Sequence, residues 1–210
     1  MQMLFQGLSE SVERMQALVD EIVTVSRIMT NQIDLSVSTV NVGGLLWKAV
    51  KNYTRALDDR KLTLEYDVSQ FPADLRGDAD LLYLVLDNLI SNAIKYTPDG
   101  GKIYIKARHD ATQLHFSVRD TGIGVDPDQQ KHLFERFRSN VNVMLHSTSK
   151  TAFNGGGLGL GLSICKGIIE AHGGQIWVES EGHQPNKFPG SEFFVMLPMV
   201  AIQGVKKVQV

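Results

Sequence analysis

A single cysteine, Cys165, leaves this 210-residue chain without an intramolecular disulfide or a cysteine-rich zinc site, which points to a reducing compartment. Neither sign of charge dominates: 21 lysines and arginines stand against 23 aspartates and glutamates, so no bulk field favours nucleic acid or an anionic membrane as partner. There is no apolar run long enough to span a bilayer and no signal peptide. A cytoplasmic location, with no membrane contact by this segment, is the expectation. What the chain does have is enough apolar sequence, 43% of residues, to pack one domain with an appendage, which excludes a disordered polymer. Cys165, within Leu-Ser-Ile-Cys-Lys-Gly-Ile, reads as a small buried hydrophobe in a helix rather than a nucleophile.

Two regions differ in pattern. Leu8, Val12, Met15, Val19, Ile22, Met29 and Ile33 recur at alternating spacings of four and three, interrupted at Ser26, which predicts one long helix over Leu8–Leu35. Leu18 and Val25 widen its apolar stripe beyond a two-stranded seam, as suits a four-helix bundle, and a helix folded back on its own domain is the alternative. Ser36–Gly44 is expected to serve as a joint. The division expected is a helical segment over residues 1–39, a second domain over 40–200 and a tail over 201–210.

Beyond the joint, helical and extended patterns alternate. Helices are predicted at Leu45–Arg60, from an Asp78 cap to Tyr96, from Pro127 to about Phe137 and at Leu160–His172; strands at Leu62–Val68, Lys102–Arg108, Gln113–Arg119, Gln175–Glu179 and Glu192–Leu197. Single helices among antiparallel strand pairs argue for an α+β layer pair with one sheet face covered.

Three blocks carry chemistry. On the helix ending at Tyr96, Asn88, Asn92, Lys95 and Tyr96 fall at i, i+4, i+7 and i+8, while Leu82, Val85, Leu86, Leu89 and Ala93 fall on another face. A solvated face is the plain reading of such a stripe, yet two amide oxygens suit a magnesium ion that already carries phosphate oxygens, and a lysine meets phosphate as a point charge. In the second block a strand delivers Asp120 into Thr121-Gly-Ile-Gly, where Gly122 and Gly124 allow close approach to a flat ligand. Asp-Thr-Gly is also the aspartic-protease tripeptide, but that chemistry needs a second carboxylate alongside, and no second Asp-Thr/Ser-Gly occurs. The third block, Asn154-Gly-Gly-Gly-Leu-Gly-Leu-Gly-Leu-Ser, runs into a helix and presents backbone amides suited to phosphate oxygens. It contains neither GxGxxG nor Gly-Lys-Ser/Thr, which removes the Rossmann and Walker readings. A flexible linker is disfavoured by the leucines that alternate with its glycines.

In this order, with Phe-Glu-Arg-Phe at Phe134–Phe137 between the last two, the blocks resemble the ATP-binding domain of sensor histidine kinases, within the superfamily that includes DNA gyrase, MutL and the ninety-kilodalton heat-shock chaperone. The resemblance covers about Val40–Pro198. It implies an α+β fold: a two-layer sandwich of a mixed five-stranded sheet and three helices, preceded here by one long helix. It implies ATP and magnesium as ligands. Asp120 would accept from the adenine amino group, Asn92 with Asn88 would hold magnesium, Lys95 would meet phosphate and Tyr96 would line the base or ribose. Arg136 and Arg138 are candidates for the triphosphate, and Gly157, Leu158, Gly159, Leu160 and Gly161 for the phosphate-facing backbone. Gly122 and Gly124 would border the base, and Ser191 matches a hydroxyl near the adenine. A lid over roughly Ser139–Gly156 is expected, poorly ordered without nucleotide.

One departure matters. None of the six histidines, His109, His115, His132, His146, His172 and His183, sits in a His-Glu-Leu-Arg-Thr-Pro-like phosphoacceptor box. Leu8–Leu35 resembles the second dimerisation helix of such kinases, which implies a truncated kinase whose phosphoacceptor helix lies in the parent protein. The other partners implied are a response regulator and a second copy through Leu8–Leu35. A clamp-type ATP hydrolase and a nucleotide-dependent binding module are the alternatives.

Overall fold

The computed structural model of the protein describes residues 33–135, 153, 160–184 and 187–200. The chain divides into two units, Met1–Asp34 and Leu35–Val210, and the described residues belong almost wholly to the second. Of the long helix expected over Leu8–Leu35 only Ile33, Asp34 and Leu35 are among them, and these three are not helical; the tail over 201–210 and the lid other than Phe153 lie outside them.

Ser36–Gly44, expected as a joint, holds a strand and a helix start instead. Strand β1 (Ser38–Val40) pairs antiparallel with β3 (Leu75–Gly77), placing Val40 opposite Leu75, both buried. Three residues per strand are too few for a periodic signal, so this small sheet went unforeseen. Asn41 then caps helix α1 (Val42–Asn52), its Oδ1 accepting from the Gly44 amide at 2.8 Å.

The single helix expected over Leu45–Arg60 is two, α1 and α2 (Thr54–Asp59), broken at Tyr53. The Thr54 hydroxyl donates to the Lys51 carbonyl at 3.0 Å, a local bond that competes with the helical ladder. Tyr53 itself is buried and donates its hydroxyl to Asp87 at 2.9 Å. Strand β2 (Thr63–Tyr66) follows, shorter than expected.

Helix α3 (Ala79–Tyr96) is capped as expected by Asp78, whose Oδ1 accepts from the Asp80 and Leu81 amides at 3.1 Å each. Its apolar face, Leu82, Val85, Leu86, Leu89 and Ala93, is buried. The remaining elements are β4 (Lys102–His109), β5 (Gln113–Asp120), a short α4 (Pro127–Gln130), α5 (Gly161–Ala171), β6 (Gln175–Glu179) and β7 (Ser191–Pro198). Helix α4 ends at Gln130, short of the run to about Phe137 that was expected, and turns follow it to Phe134.

The five strands form one mixed sheet in the order β2-β4-β5-β7-β6, with β2 and β4 parallel and the other neighbours antiparallel. Strand β7 alternates buried and half-buried residues along its whole length, the signature of a sheet with one packed face. Leu46, Leu89, Ile94, Ile103, Leu114, Ile164 and Leu197 are fully buried. Burying each such side chain stabilises the fold by roughly 1.5–3 kcal/mol. Helix α3 is the central helix, packed against both α1 and α5. Together with the sheet these are the two layers that the resemblance implied.

Candidate functional site

Asp120 ends β5, paired across the sheet with Ile103 on one side and Ser191 on the other. Only 2% of it is exposed. One carboxylate oxygen accepts from the Gly122 amide at 2.8 Å and the other from the Ser191 hydroxyl at 2.5 Å. Burial raises its pKa to about 6, although the bonds from Ser191 and Gly122 pull the other way. An acceptor so placed has a fixed orientation, and its poorly solvated charge suits a ligand N–H donor.

The glycines of this turn are also required by the protein's own atoms. A Cβ at Gly122 would lie 2.2 Å from the Tyr96 carbonyl oxygen and 2.6 Å from Asp120 Oδ1. At Gly124 the backbone is left-handed, φ 73°, and a Cβ would lie 1.9 Å from the Gly182 carbonyl. Both are required by protein atoms, so the loop is clasped before any ligand arrives. The Ile123 amide donates to Tyr96, the Gly190 amide to Gly122 and the Val125 amide to Ser180 Oγ. Ser180 also donates to the Gly190 carbonyl at 2.6 Å. Ser180 and Gly190 were missed from sequence; the only signal was Pro189-Gly190 immediately before Ser191.

The amide wall on α3 meets the start of α5. Asn88 donates its amide nitrogen to the Leu84 carbonyl at 3.1 Å, which leaves its oxygen as the outward acceptor. That oxygen would be 2.6 Å from a Cβ at Gly161, so the absence of a side chain there lets α5 begin against Asn88. No acidic residue occupies the first turn of α5 and no side chain caps it. Asn92 is half-buried, and its amide makes no hydrogen bond to another described residue. Lys95 is more buried than a solvated stripe implies, at 8% exposed. Its ammonium lies 4.8 Å from the centre of the Tyr96 ring and forms no ion pair with a described residue. Leu160, buried, precedes α5. Arg136, Arg138, Gly157, Leu158 and Gly159 lie outside the described residues.

The far end of α3 is held by Arg60, whose guanidinium donates to the carbonyls of Ile94, at 2.6 Å, and Thr97, and to Asp99 at 2.8 Å. These are the carbonyls a helix leaves unsatisfied at its C-terminus. Nothing in the sequence signalled this role. Asp87, next to Asn88, turns away from the wall to accept from Tyr53 on the α1 side. Among the described residues no three His, Cys, Asp or Glu side chains cluster as a metal site. Any ion at the wall would therefore rely on neutral amide oxygens and on oxygens brought by a ligand, a donor set that fits magnesium rather than zinc. Cys165 is fully buried, and burial pushes its thiol pKa up, which rules out nucleophilic chemistry there.

Comparison with known proteins accords with this geometry. The family model described as histidine kinase-, DNA gyrase B-, and HSP90-like ATPase matches residues 77–201, the stretch from β3 through β7. The chain is 32% identical to the adaptive-response sensory kinase SasA of Microcystis aeruginosa over 197 residues, covering 93% of this chain and 48% of that protein. It is 30% identical to the alginate biosynthesis sensor protein KinB of Pseudomonas aeruginosa, again over 93% of this chain but 30% of the relative. The chain thus spans less than half the length of either relative. Among solved structures, full-length ShkA in complex with AMPPNP superposes with a TM-score of 0.74 at 28% identity, covering 95% of this chain and 39% of ShkA. The chain belongs to the histidine kinase, DNA gyrase B and HSP90-like ATPase family, and its relatives are sensor histidine kinases.

Proposed function

We propose that this chain is the ATP-binding catalytic part of a two-component sensor histidine kinase. It binds ATP with magnesium and transfers the γ-phosphoryl group to a histidine that is none of its own six. In that transfer the bond between the γ-phosphorus and the β–γ bridging oxygen breaks, a phosphorus–nitrogen bond forms and ADP leaves. A response-regulator aspartate is the onward acceptor, and Leu8–Leu35 is the dimer contact of the parent protein.

Asp120 accepts from the adenine amino group and would oppose the guanine carbonyl at the same place. Asn88 and Asn92 offer amide oxygens to magnesium, which neutralises phosphate charge when bound. Lys95 meets a phosphate, Tyr96 lines the base or ribose, and the backbone at Gly157–Gly161 with Arg136 and Arg138 encloses the triphosphate.

The observation that carries kinase over hydrolase is the chemistry of the wall. A hydrolase needs a general base beside the γ-phosphate, and the position one turn before Asn92 is Asn88, an amide without basicity near neutral pH. The neighbouring carboxylate, Asp87, is engaged with Tyr53 on the opposite side. Water beside the γ-phosphate is thus left unactivated, and a histidine brought in line reacts instead.

The test is purified chain with magnesium and labelled ATP. Calorimetry should show ATP binding at least about tenfold tighter than GTP. ADP should form only very slowly, and no acid-labile phosphohistidine should appear until the parent's phosphoacceptor helix is added in trans. Brisk hydrolysis abolished by Asn88→Ala would overturn this reading in favour of a clamp-type ATPase, and nucleotide binding without any transfer in trans would favour a binding module.

A further inference from the structure

His172 lies at the end of α5 farthest from the glycine-rich block, is 1% exposed, and takes no part in the site as described so far. Both its ring nitrogens are used. Nδ1 donates to the Ile168 carbonyl at 2.8 Å, and Nε2 accepts from the Asp78 backbone amide at 3.0 Å. These partners fix a neutral ring in the Nδ1–H tautomer, and burial lowers its pKa in the same sense. Asp78 is the N-cap of α3, and its second carboxylate oxygen accepts from the Ser36 amide at 2.9 Å. One side chain therefore ties the C-terminal end of α5 to the N-cap of α3, and it fits there because position 77 is glycine: a Cβ at Gly77 would lie 3.2 Å from the imidazole Cδ2.

Helices α3 and α5 run antiparallel, and their approach is fixed at three levels. His172 meets Asp78 at one end, Cys165 Sγ lies 3.9 Å from the Val85 carbonyl in the middle, and Gly161 abuts Asn88 at the other. The eleven residues of α5, Gly161–Ala171, make it a rigid lever of about 16 Å. We infer that His172 is a positioning residue for the triphosphate side of the nucleotide site. By fixing α5 against α3 from behind, it holds the N-terminus of α5 at the distance from Asn88 and Asn92 at which amide oxygens and backbone amides converge on one phosphate chain. The adenine side is built from β5, β7 and the 120–124 turn, which His172 does not touch. Loosening the lever should thus weaken phosphate binding and spare the base.

Because Asn88 and Asn92 are taken as the phosphate wall, the proposal rests on the ATP-binding reading, and the experiment separates the two. Titrate magnesium-ATP by calorimetry and adenosine by amide shifts of Gly122 into wild type, His172→Phe, His172→Gln and Leu46→Val. Phe fills the volume and removes both bonds; Gln restores an acceptor for the Asp78 amide; Leu46→Val, in α1, lowers stability away from the α3–α5 contact. His172→Phe should bind ATP roughly tenfold more weakly while adenosine affinity holds at the wild-type value. His172→Gln should recover most of the loss, and Leu46→Val should shift neither ligand. If wild type binds ATP but His172→Phe leaves the ATP-to-adenosine ratio unchanged, or lowers both affinities as a general loss of stability does, the positioning role is wrong. If wild type binds no ATP, the nucleotide reading itself fails.

Discussion

The two ends of the candidate site, proposed here to take the base and the phosphates of ATP, are built on opposite plans. At the base end, Asp120 is buried with both oxygens already bonded to Gly122 and Ser191, in a turn clasped by the carbonyls of Tyr96 and Gly182. At the phosphate end, Asn92 and Lys95 make no hydrogen bond or ion pair with a described residue, and the first turn of α5 has no capping side chain. The proposed base end is preorganised, so selectivity for one flat ligand would come from orientation fixed before binding. The phosphate end keeps its donors and acceptors uncommitted, so charge neutralisation waits for the ligand. On the proposed reading, such a site would choose its base through geometry and hold its phosphates through electrostatics.

The sharpest way to break that contrast is Asp120→Asn. A carboxyl raised from 3.8 to about 6 favours the fold when protonated, so its contribution is complete below pH about 4 and is lost as the pH rises through 6. At neutral pH the buried charge costs about 3 kcal/mol. Asp120→Asn should therefore be more stable than wild type at pH 7, by up to about that amount, with the difference vanishing near pH 4 in urea melts. The same variant should lose about 1.5–3 kcal/mol of ATP affinity at pH 7, roughly ten- to hundredfold. Stability and binding moving in opposite directions is the mark of a preorganised acceptor whose charge is poorly solvated; a variant that is less stable and binds ATP as before would contradict it.

A smaller effect is expected at the phosphate end. Lys95→Met should weaken ATP by about 1.5 kcal/mol through loss of a charge-assisted contact, flatten the dependence of ATP binding on salt, and leave adenosine binding alone. Equal losses for ATP and adenosine would mean that Lys95 only supports Tyr96. Smallest at the site is Asp87→Ala. It should cost about 1–2 kcal/mol in thermal or chemical melts, because the buried Tyr53 hydroxyl loses its acceptor, while ATP affinity stays as in wild type. A change in nucleotide turnover with this variant would bring Asp87 back as a candidate base.

The contrast between the two ends is also a contrast in what could be read from the chain. Asn88, Asn92 and Lys95 were legible because a helix repeats every 3.6 residues, so spacing alone put them on one wall. Asp120 was legible because a strand with clear alternation ran into a glycine turn. The reason for those glycines was not. Gly122 and Gly124 accommodate the Tyr96 and Gly182 carbonyls, which come from residues 26 and 58 positions away, a relation that no local pattern encodes. The break at Tyr53 escaped as well: Thr54 bonds the Lys51 carbonyl there, and the Tyr53 ring turns inward to reach Asp87, 34 residues along the chain.

The sequence by itself determined the apolar periodicities, the cap at Asp78, the order of the motif blocks and hence the layer architecture, because each depends on residues within a turn or two of one another. Only the tertiary structure decided how the blocks meet. It set Ser191 against Asp120, Gly161 against Asn88, Arg60 under the end of α3 and His172 behind α5. Those contacts depend on strand order and on helices packed to within the size of a missing Cβ. Such distances follow from the summed packing of the whole domain, and no window of neighbouring residues contains them.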